Sequence, residues 1–294
     1  MTTCLSIPKI WNASEDYNKL FKLWEQISNS PFDEDFELDF KNCKFLGHNG
    51  VAFLGGLAHF IQHRGGRVNF LWHTIAPSIK MNLAQNGFLY YFGESQEPWD
   101  GNSVTYRSDR HHDKSEIMAY LLEKWLGKGW LNISKPLQNE IAGQVSEIYG
   151  NAFEHSDSEI GVFSCGQCYP NRNYLELSVI DFGIGIPTKV RTLPTNSHFS
   201  SKDALMWALE SGNTTVMGVP RGLGLNLLKE FVNYNQGTLK IFSNDSYVKI
   251  ADNDVTYSKQ TINFSGTFIN ITLKCDEAYY CLASEDLDAS SIRF

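Results

Sequence analysis

The 294-residue sequence lacks the features of a membrane or secreted protein. No uninterrupted apolar stretch approaches the ~18 residues that a membrane-spanning helix needs. The first residues, MTTCLSIPKIWN, have no basic segment followed by an apolar core, which a signal peptide would require. We therefore expect a cytoplasmic protein without a membrane partner.

Positive charge is also scarce. The chain has 25 Lys and Arg against 33 Asp and Glu, a formal net charge of −8. No basic face dominates, so we expect no nucleic-acid partner. Hydrophobic residues make up 42% and charged residues 20%, as in ordinary globular proteins, and the length is sufficient for two domains.

Six cysteines leave two interpretations open. Cys165 and Cys168 form a C-x-x-C in an expected hairpin tip, and Cys275 and Cys281 follow near the end of the chain. Two such pairs could hold a zinc ion, but the five residues between Cys275 and Cys281 are more than a typical zinc-binding pair has. The first pair does not begin a helix, as a thioredoxin-like motif would. Unpaired thiols are the favoured interpretation, and a metal site is the alternative.

The first hundred residues alternate between strand and helix patterns. FELDF alternates apolar and polar residues, and VAFLGGLAHFIQH has apolar residues at helical spacing. RVNFLW and APSIKMNLAQNG repeat the strand and the helix. We therefore predict a small α/β domain over residues 1–100, followed by an irregular polar linker over 101–113.

Residues 114–294 show the order helix, strand pair, long loop, helix, strand pair. SKPLQNEIAGQVSEIYGNAFEHS predicts a long helix that Ser134 could cap. EIGVF and YLELSVI predict the first strand pair, and TLKIFS and GTFINITL the second. The order predicts helices on one face of a mixed, mostly antiparallel sheet.

The long helix carries Glu147, Asn151 and His155 at intervals of four residues, so all three are expected on one face. A carboxylate and an amide oxygen there are suited to orienting a water and holding a hard cation. By itself, this triplet is more typical of a solvated helix face.

Three glycine-containing stretches follow in order. In VIDFGIGIP, Asp181 ends an apolar strand and could accept a hydrogen bond from an exocyclic amine, while the glycines would let a base approach the backbone. RGLGLNLLKEF places two glycines before a helix, where free N–H groups can bind phosphate. Gly266 and Thr267 are expected to open the last strand, where a hydroxyl could reach the base.

These four stretches resemble, in order, the motifs of the GHKL ATPases, which include gyrase-type ATPases, histidine kinases and anti-sigma-factor kinases. SEIYGNAFEHS is similar to the N-box of the anti-sigma kinases, DFGIGIP to the G1 box and RGLGL to the G2 box, with Pro220 at the usual first glycine. The resemblance covers residues ~115–275. It implies a Bergerat-type two-layer α/β sandwich over residues 114–294.

The resemblance also implies roles. Asn151 would coordinate a Mg²⁺ ion that bridges the phosphates of ATP, Glu147 would act as general base, and Asp181 would bind the amino group of adenine. Residues ~187–220 would form a lid, whose candidate phosphate-binding cations include Lys189, Arg191 and Lys202, although solvated surface charge is more typical of each. The remaining contacts to the nucleotide would come from His155, Gly183, Gly185, Arg221, Gly222, Gly224, Leu225 and Thr267.

Residues ~30–93 resemble a STAS domain, the fold of anti-sigma-factor antagonists. In that family a phosphorylatable serine precedes the glycine that corresponds to Gly50, whereas this chain has His48 and Asn49. The resemblance implies a STAS-like docking module without a phosphorylation switch.

Three functions compete on this basis. The first is a Mg-ATP-dependent ATPase or protein serine/threonine kinase acting on a partner protein that binds the STAS-like domain or the lid. The second is a switch that binds ATP without hydrolysing it. A histidine kinase is disfavoured because Glu154 stands where that class usually has a basic residue, and because His112 lies too close to the N-box. A homodimer is possible in each case.

Overall fold

The N-terminal third of the chain forms a parallel sheet of three strands with its helices. The structure is a computed structural model that describes residues 2–210, 212–213 and 225–285, and the backbone of 292–293. The strands pair in the order β1–β2–β3. The elements are β1 (Thr2–Ser6), α1 (Ser14–Ser28), β2 (Asp35–Asp39), α2 (His48–His63), β3 (Val68–Phe70), α3 (Pro77–Gln85) and α4 (Phe88–Tyr91).

Helix α2 is buried on almost every side. Every residue from His48 to His59 is buried, so the helix needs neighbours on both sides. It contacts β3 of its own sheet and also strands of a second sheet that comes later in the chain. Among the described residues, no helix combines the length and the apolar character that a bilayer crossing requires.

The rest of the chain forms an antiparallel sheet of five strands in the order β4–β5–β6–β8–β7. The last two strands, β9 and β10, form a short parallel pair. The elements are β4 (Ser103–Asp109), α5 (Lys114–Tyr120), α6 (Lys135–His155), β5 (Val162–Tyr169), β6 (Tyr174–Asp181), α7 (Ile186–Val190), α8 (Ser201–Leu209), α9 (Asn226–Tyr234), β7 (Thr238–Ala251), β8 (Asp254–Lys274), β9 (Tyr280–Cys281) and β10 (Ile292–Arg293).

Both faces of the five-stranded sheet are covered. Side chains alternate between the faces of a strand, so Leu177 and Val179 of β6 pack with α6 and α9. Ile180 of β6 and Phe268 of β8 point the other way and share a hydrophobic cluster with α1 and α2. The sheet therefore lies between the N-terminal helices and the helices that connect its own strands.

The mixed α/β class and the antiparallel sheet are confirmed. The arrangement of these elements differs from the sequence expectations. The interval 101–113, expected to be irregular, contains β4 at the edge of the sheet, and α1 and α2 add helices to the second face. Strand β8 begins at Asp254, twelve residues before Gly266, so the expectation that Gly266 and Thr267 open this strand is wrong. The domain boundaries themselves stay a prediction.

Candidate functional site

The C-terminal half of α6 supplies one wall of the candidate site. Ser134 caps the helix, its Oγ accepting a hydrogen bond from the amide of Leu137 at 3.2 Å. Asn151 and His155 line a cavity, but Glu147 does not. The carboxylate of Glu147 instead pairs with Nζ of Lys114 on α5, at 3.1 Å.

The geometry of a helix explains why Glu147 does not share the cavity with Asn151 and His155. At 100° per residue, side chains four residues apart differ in direction by roughly 40°, so Glu147 and His155 point roughly 80° apart. α5 lies beside that edge of α6 and provides Glu147 with a cation. Sequence spacing alone could not show which neighbour each side chain would meet.

Asp181 lies at the end of β6, opposite Thr267 of β8. It is only 4% exposed, and its carboxylate accepts a hydrogen bond from the amide of Gly183 at 2.9 Å. Burial raises the pKa of Asp181 to about 7, although the hydrogen bonds from Gly183 and Thr267 act in the opposite direction. The group is therefore a buried acid that titrates near neutral pH.

The loop after Asp181 depends on its glycines. A Cβ on Gly183 would overlap the carbonyl oxygen of Ser156 at the end of α6, so only glycine allows the loop to pass there. Gly185 has a φ of +81°, in the left-handed region that favours glycine. Gly183 is buried in the turn, and Gly185 lines the cavity.

Two polar side chains of β7 anchor this loop. Ser243 Oγ accepts a hydrogen bond from the amide of Ile186 at 2.8 Å and lies 3.1 Å from Thr267 Oγ1. Asn244 Oδ1 accepts from the amide of Thr188 at 3.2 Å, and its Nδ2 donates to the carbonyl of Ile184 at 3.1 Å. Sequence reasoning missed both residues, because nothing in the sequence pairs a strand residue with a distant loop.

The cavity between these elements has a volume of about 90 Å³. An engineered apolar cavity of about 150 Å³ binds benzene, and this cavity is smaller than that. Helices α7 and α8 contribute Ile186, Val190 and Trp207 to its lining. The predicted site residues that line it are Asn151, His155, Asp181, Gly185 and Thr267.

Sequence reasoning also missed the apolar lining. Ile148 on α6, Val179 on β6 and Ile269 on β8 contribute to it. The signal was present, because Val179 and Ile269 each lie two residues from a predicted site residue on the same strand face. Such a lining suits a flat apolar ring better than a charged group.

The predicted phosphate-binding cations are divided among several places. Lys189 lines the cavity and pairs with Asp157 at 3.3 Å. Arg191 donates to the carbonyl of Phe199 and to Ser201, and so joins α7 to α8. Lys202 is exposed. Arg221, Gly222 and Gly224 lie outside the described residues.

Leu225 directly precedes α9 and does not line the cavity. Its side chain is 2% exposed and packs in the core with α6 and β7. Its carbonyl accepts the hydrogen bond from the amide of Lys229 that begins the helix.

The cysteines do not form the metal site that was considered as an alternative. Cys165 and Cys168 lie within β5, not in a hairpin tip, and three residues apart on a strand they pack on opposite faces of the sheet. In the described part of the chain all six thiols are free. A single ion could not bind both thiols of the C-x-x-C.

Asn151 is the one predicted metal ligand, and its side chain lines the cavity. Within the described ranges its side-chain amide makes no hydrogen bond, so its oxygen is available on the cavity wall. No three His, Cys, Asp or Glu side chains of the described residues converge as a metal site. A Mg²⁺ ion here would depend on Asn151 and on oxygens of its ligand, as Mg²⁺ commonly does when it binds with phosphates.

Comparisons with known proteins add no further information about the site. No protein-family model matches the chain, and no curated protein matches its sequence.

Proposed function

We propose that the protein is a Mg-ATP-binding regulatory protein of the GHKL type, which hydrolyses ATP or transfers its phosphoryl group to a partner protein. One observation carries the proposal. The buried carboxylate of Asp181 ends a strand, faces Thr267 on the neighbouring strand, and shares a cavity with Asn151 and His155 of a helix. These residues come from three separate motifs of the resemblance.

The chemistry of each residue supports this use. Asp181 would accept a hydrogen bond from the exocyclic amine of adenine, which guanine lacks at that edge. Val179 and Ile269 would contact the faces of the ring. Asn151 would hold Mg²⁺, which offsets the negative charge of the phosphates, and Lys189 lies near enough to contribute a positive charge.

The size of the cavity adds a requirement. Trp207 and Ala208 of α8 line the cavity together with β6 and β8, and its volume of about 90 Å³ is below the about 150 Å³ of an apolar cavity that binds benzene. Binding of ATP would therefore require α7 and α8 to move outwards. This role matches the lid that the resemblance places at residues ~187–220.

A non-hydrolysing, ATP-dependent switch is the second candidate, and the position of Glu147 favours it. Its carboxylate is paired with Lys114, and its side chain is 47% exposed outside the cavity. A general base has to reach the attacking water, directly or through one water molecule. In the described conformation Glu147 points towards α5, and a switch would not need it elsewhere.

The N-terminal α/β part would serve as a STAS-like docking module beside a Bergerat-type nucleotide domain. Asn49 is fully buried, its Nδ2 donating to the carbonyl of Trp11 at 2.7 Å, so this position offers neither a hydroxyl nor access to a kinase. A partner protein would meet exposed parts of this module or the lid, and a second copy of the chain is one candidate.

Nucleotide titrations of the full-length protein test the proposal. We expect ATP with Mg²⁺ to bind and GTP to bind at least tenfold more weakly, because only adenine offers the amine to Asp181. Asp181→Ala should weaken ATP binding by ~10- to 150-fold, and Asp252→Ala, an exposed aspartate in a hairpin turn, should not. Equal affinity for ATP and GTP, or unchanged ATP affinity in Asp181→Ala, would contradict the proposal.

Single-turnover assays with labelled ATP separate the two candidates. Release of phosphate, or its transfer to an added protein, supports the enzyme. Nucleotide binding without either reaction, with any partner tested, supports the switch.

A further inference from the structure

A second cleft lies on the opposite face of the five-stranded sheet from the candidate site. Its volume is about 650 Å³, within the range of small-molecule pockets. We call it the Trp11 cleft. Its lining includes Lys9, Trp11 and Asp16 of the N-terminal part, Arg172 of the turn between β5 and β6, and Glu176 and Lys240 of the sheet.

The floor of the Trp11 cleft is a closed hydrogen-bond network. Glu176 accepts a hydrogen bond from Asn12 Nδ2 at 3.0 Å and lies 3.3 Å from Nδ1 of the buried His48. Nε2 of His48 hydrogen-bonds Asn270 of β8 at 2.9 Å. Burial lowers the pKa of His48, although Glu176 acts against this shift. The carboxylate of Glu176 is thus already bound by Asn12 and His48.

The carboxylate of a second acidic residue of the cleft, Asp16, is also bound by groups of the protein. Asp16 Oδ2 accepts hydrogen bonds from the amides of Trp11 and Ala13, and Oδ1 lies 2.6 Å from Nζ of Lys19. Asp16 and Lys19 therefore neutralise each other at the start of α1.

The other three cations of the cleft have no such partner. No carboxylate of the described residues lies within 4.0 Å of the charged groups of Lys9, Arg172 or Lys240. Lys9 and Arg172 lie over the same Trp11 ring, with Nζ 5.3 Å and Cζ 4.5 Å from its centre. In a protein of net charge −8, three cations without a direct ion pair are gathered at one cleft, together with the exposed carboxylate of Glu15.

Lys240 is the most confined of the three. It is half-buried on β7, and its Nζ donates to the carbonyl and the side-chain oxygen of Asn12. Burial lowers the pKa of this amine to about 8, and Glu176 acts in the opposite direction. A partly desolvated ammonium without a direct ion pair is costly, and an incoming anion in contact with it would reduce that cost.

We propose that the Trp11 cleft binds a small molecule through its phosphate or carboxylate group, which would lie among Lys240, Arg172 and Lys9. The ligand's anion takes the place that no protein carboxylate fills. This site is independent of the proposed nucleotide function, because it lies on the other face of the sheet.

The indole N–H signal of Trp11 in the full-length, ¹⁵N-labelled protein provides a local readout, assigned with Trp11→Phe. We expect titration with inorganic phosphate, with acetate or with both to shift this signal with an affinity in the millimolar range. A response to phosphate alone identifies a phosphate-bearing ligand, and a response to acetate alone identifies a carboxylate.

Matched variants locate the anion. Arg172→Ala removes an exposed side chain, so folding is not at risk, and it should weaken the response about tenfold. Lys240→Met should do the same, whereas Lys202→Met, which removes an exposed lysine of α8 on the other face of the sheet, should not. Asp181→Asn should leave the response unchanged, which separates this cleft from the candidate nucleotide site.

No shift of the Trp11 signal with either anion at several tens of millimolar would overturn the proposal. So would equal responses of wild type, Arg172→Ala and Lys240→Met.

Discussion

Asp181 links the candidate site to pH. Its pKa is raised to about 7 from an ordinary value of 3.8, so between these pH values the folded protein holds a proton that the unfolded chain releases. Stability therefore falls as pH rises through this window, by up to about 4 kcal/mol. We expect Asp181→Asn to flatten this slope, which urea unfolding at pH 5 and pH 7.5 would measure. An unchanged slope in the variant would show that other groups produce it.

The same titration predicts how adenosine binding depends on pH. Only the ionised carboxylate accepts a hydrogen bond with both oxygens, so affinity should rise as pH increases through about 7. Adenosine is the suitable probe because it has no phosphate to titrate. In Asp181→Asn the affinity should be low and independent of pH. A wild-type affinity that falls over this window would contradict the role of Asp181.

Glu147 distinguishes chemistry from binding. If the ion pair with Lys114 opens during turnover, Glu147→Gln should lower the rate ~10²- to 10⁴-fold while Mg-ATP affinity stays near that of wild type. Glu140→Gln, an exposed glutamate on the same helix, is the control. Normal turnover in Glu147→Gln would leave this residue as the surface partner of Lys114 only.

Much of the candidate site could be predicted residue by residue. Asn151 and His155 followed from helical spacing, and Asp181 and Gly185 from a strand followed by glycines; all four line one cavity. The position of Glu147 could not be predicted, because the pairing with Lys114 depends on how α5 packs against α6. The spacing of residues along a helix predicts which side chains share a face of that helix, but not which neighbouring element packs against the face.

At the scale of elements, Gly56 controls how closely α2 approaches the sheet. A Cβ there would overlap the rings of Phe182 and Phe163. We expect Gly56→Ala to cost about 1–3 kcal/mol, as overpacking does. Gly143 of α6 has nothing within 4 Å of such a Cβ, so Gly143→Ala should be neutral or stabilising by up to about 1 kcal/mol. Thermal unfolding of both variants measures the difference, and equal effects would show that α2 has room to shift.

Periodicity predicted α2, β2, α3, α6 and β6, because each has a clear apolar pattern. It failed for the first half of β8, where most side chains are polar and exposed. At the turn before it, Asp252 and Asn253 both have positive φ, as a tight hairpin turn requires. β4 was missed because its partner, β5, lies more than fifty residues further along the chain.

For the whole molecule, the packing of α1 and α2 on the sheet predicts the result of truncation. Removing residues 1–100 would expose an aromatic face that includes Phe163, Phe242, Phe264 and Phe268. An apolar patch of that kind promotes association. We expect residues 101–294 alone to aggregate in size-exclusion chromatography, and co-expression with residues 1–100 to restore a soluble complex. A folded, monomeric fragment 101–294 would instead show that residues 1–100 form an independent unit.

Strand β6 is hydrogen-bonded to a neighbour along each edge, and every residue from Leu175 to Asp181 is buried between the two helical layers. Its amides do not exchange through local fraying, because opening them requires β6 to separate from β5 and β8 beneath both helical layers. In deuterium exchange they should be among the last to exchange, at a rate set by the global free energy of unfolding. Deuterium uptake at β6 would then report the global stability of the fold. Any ligand that binds only the folded chain, at either face of the sheet, would slow this uptake.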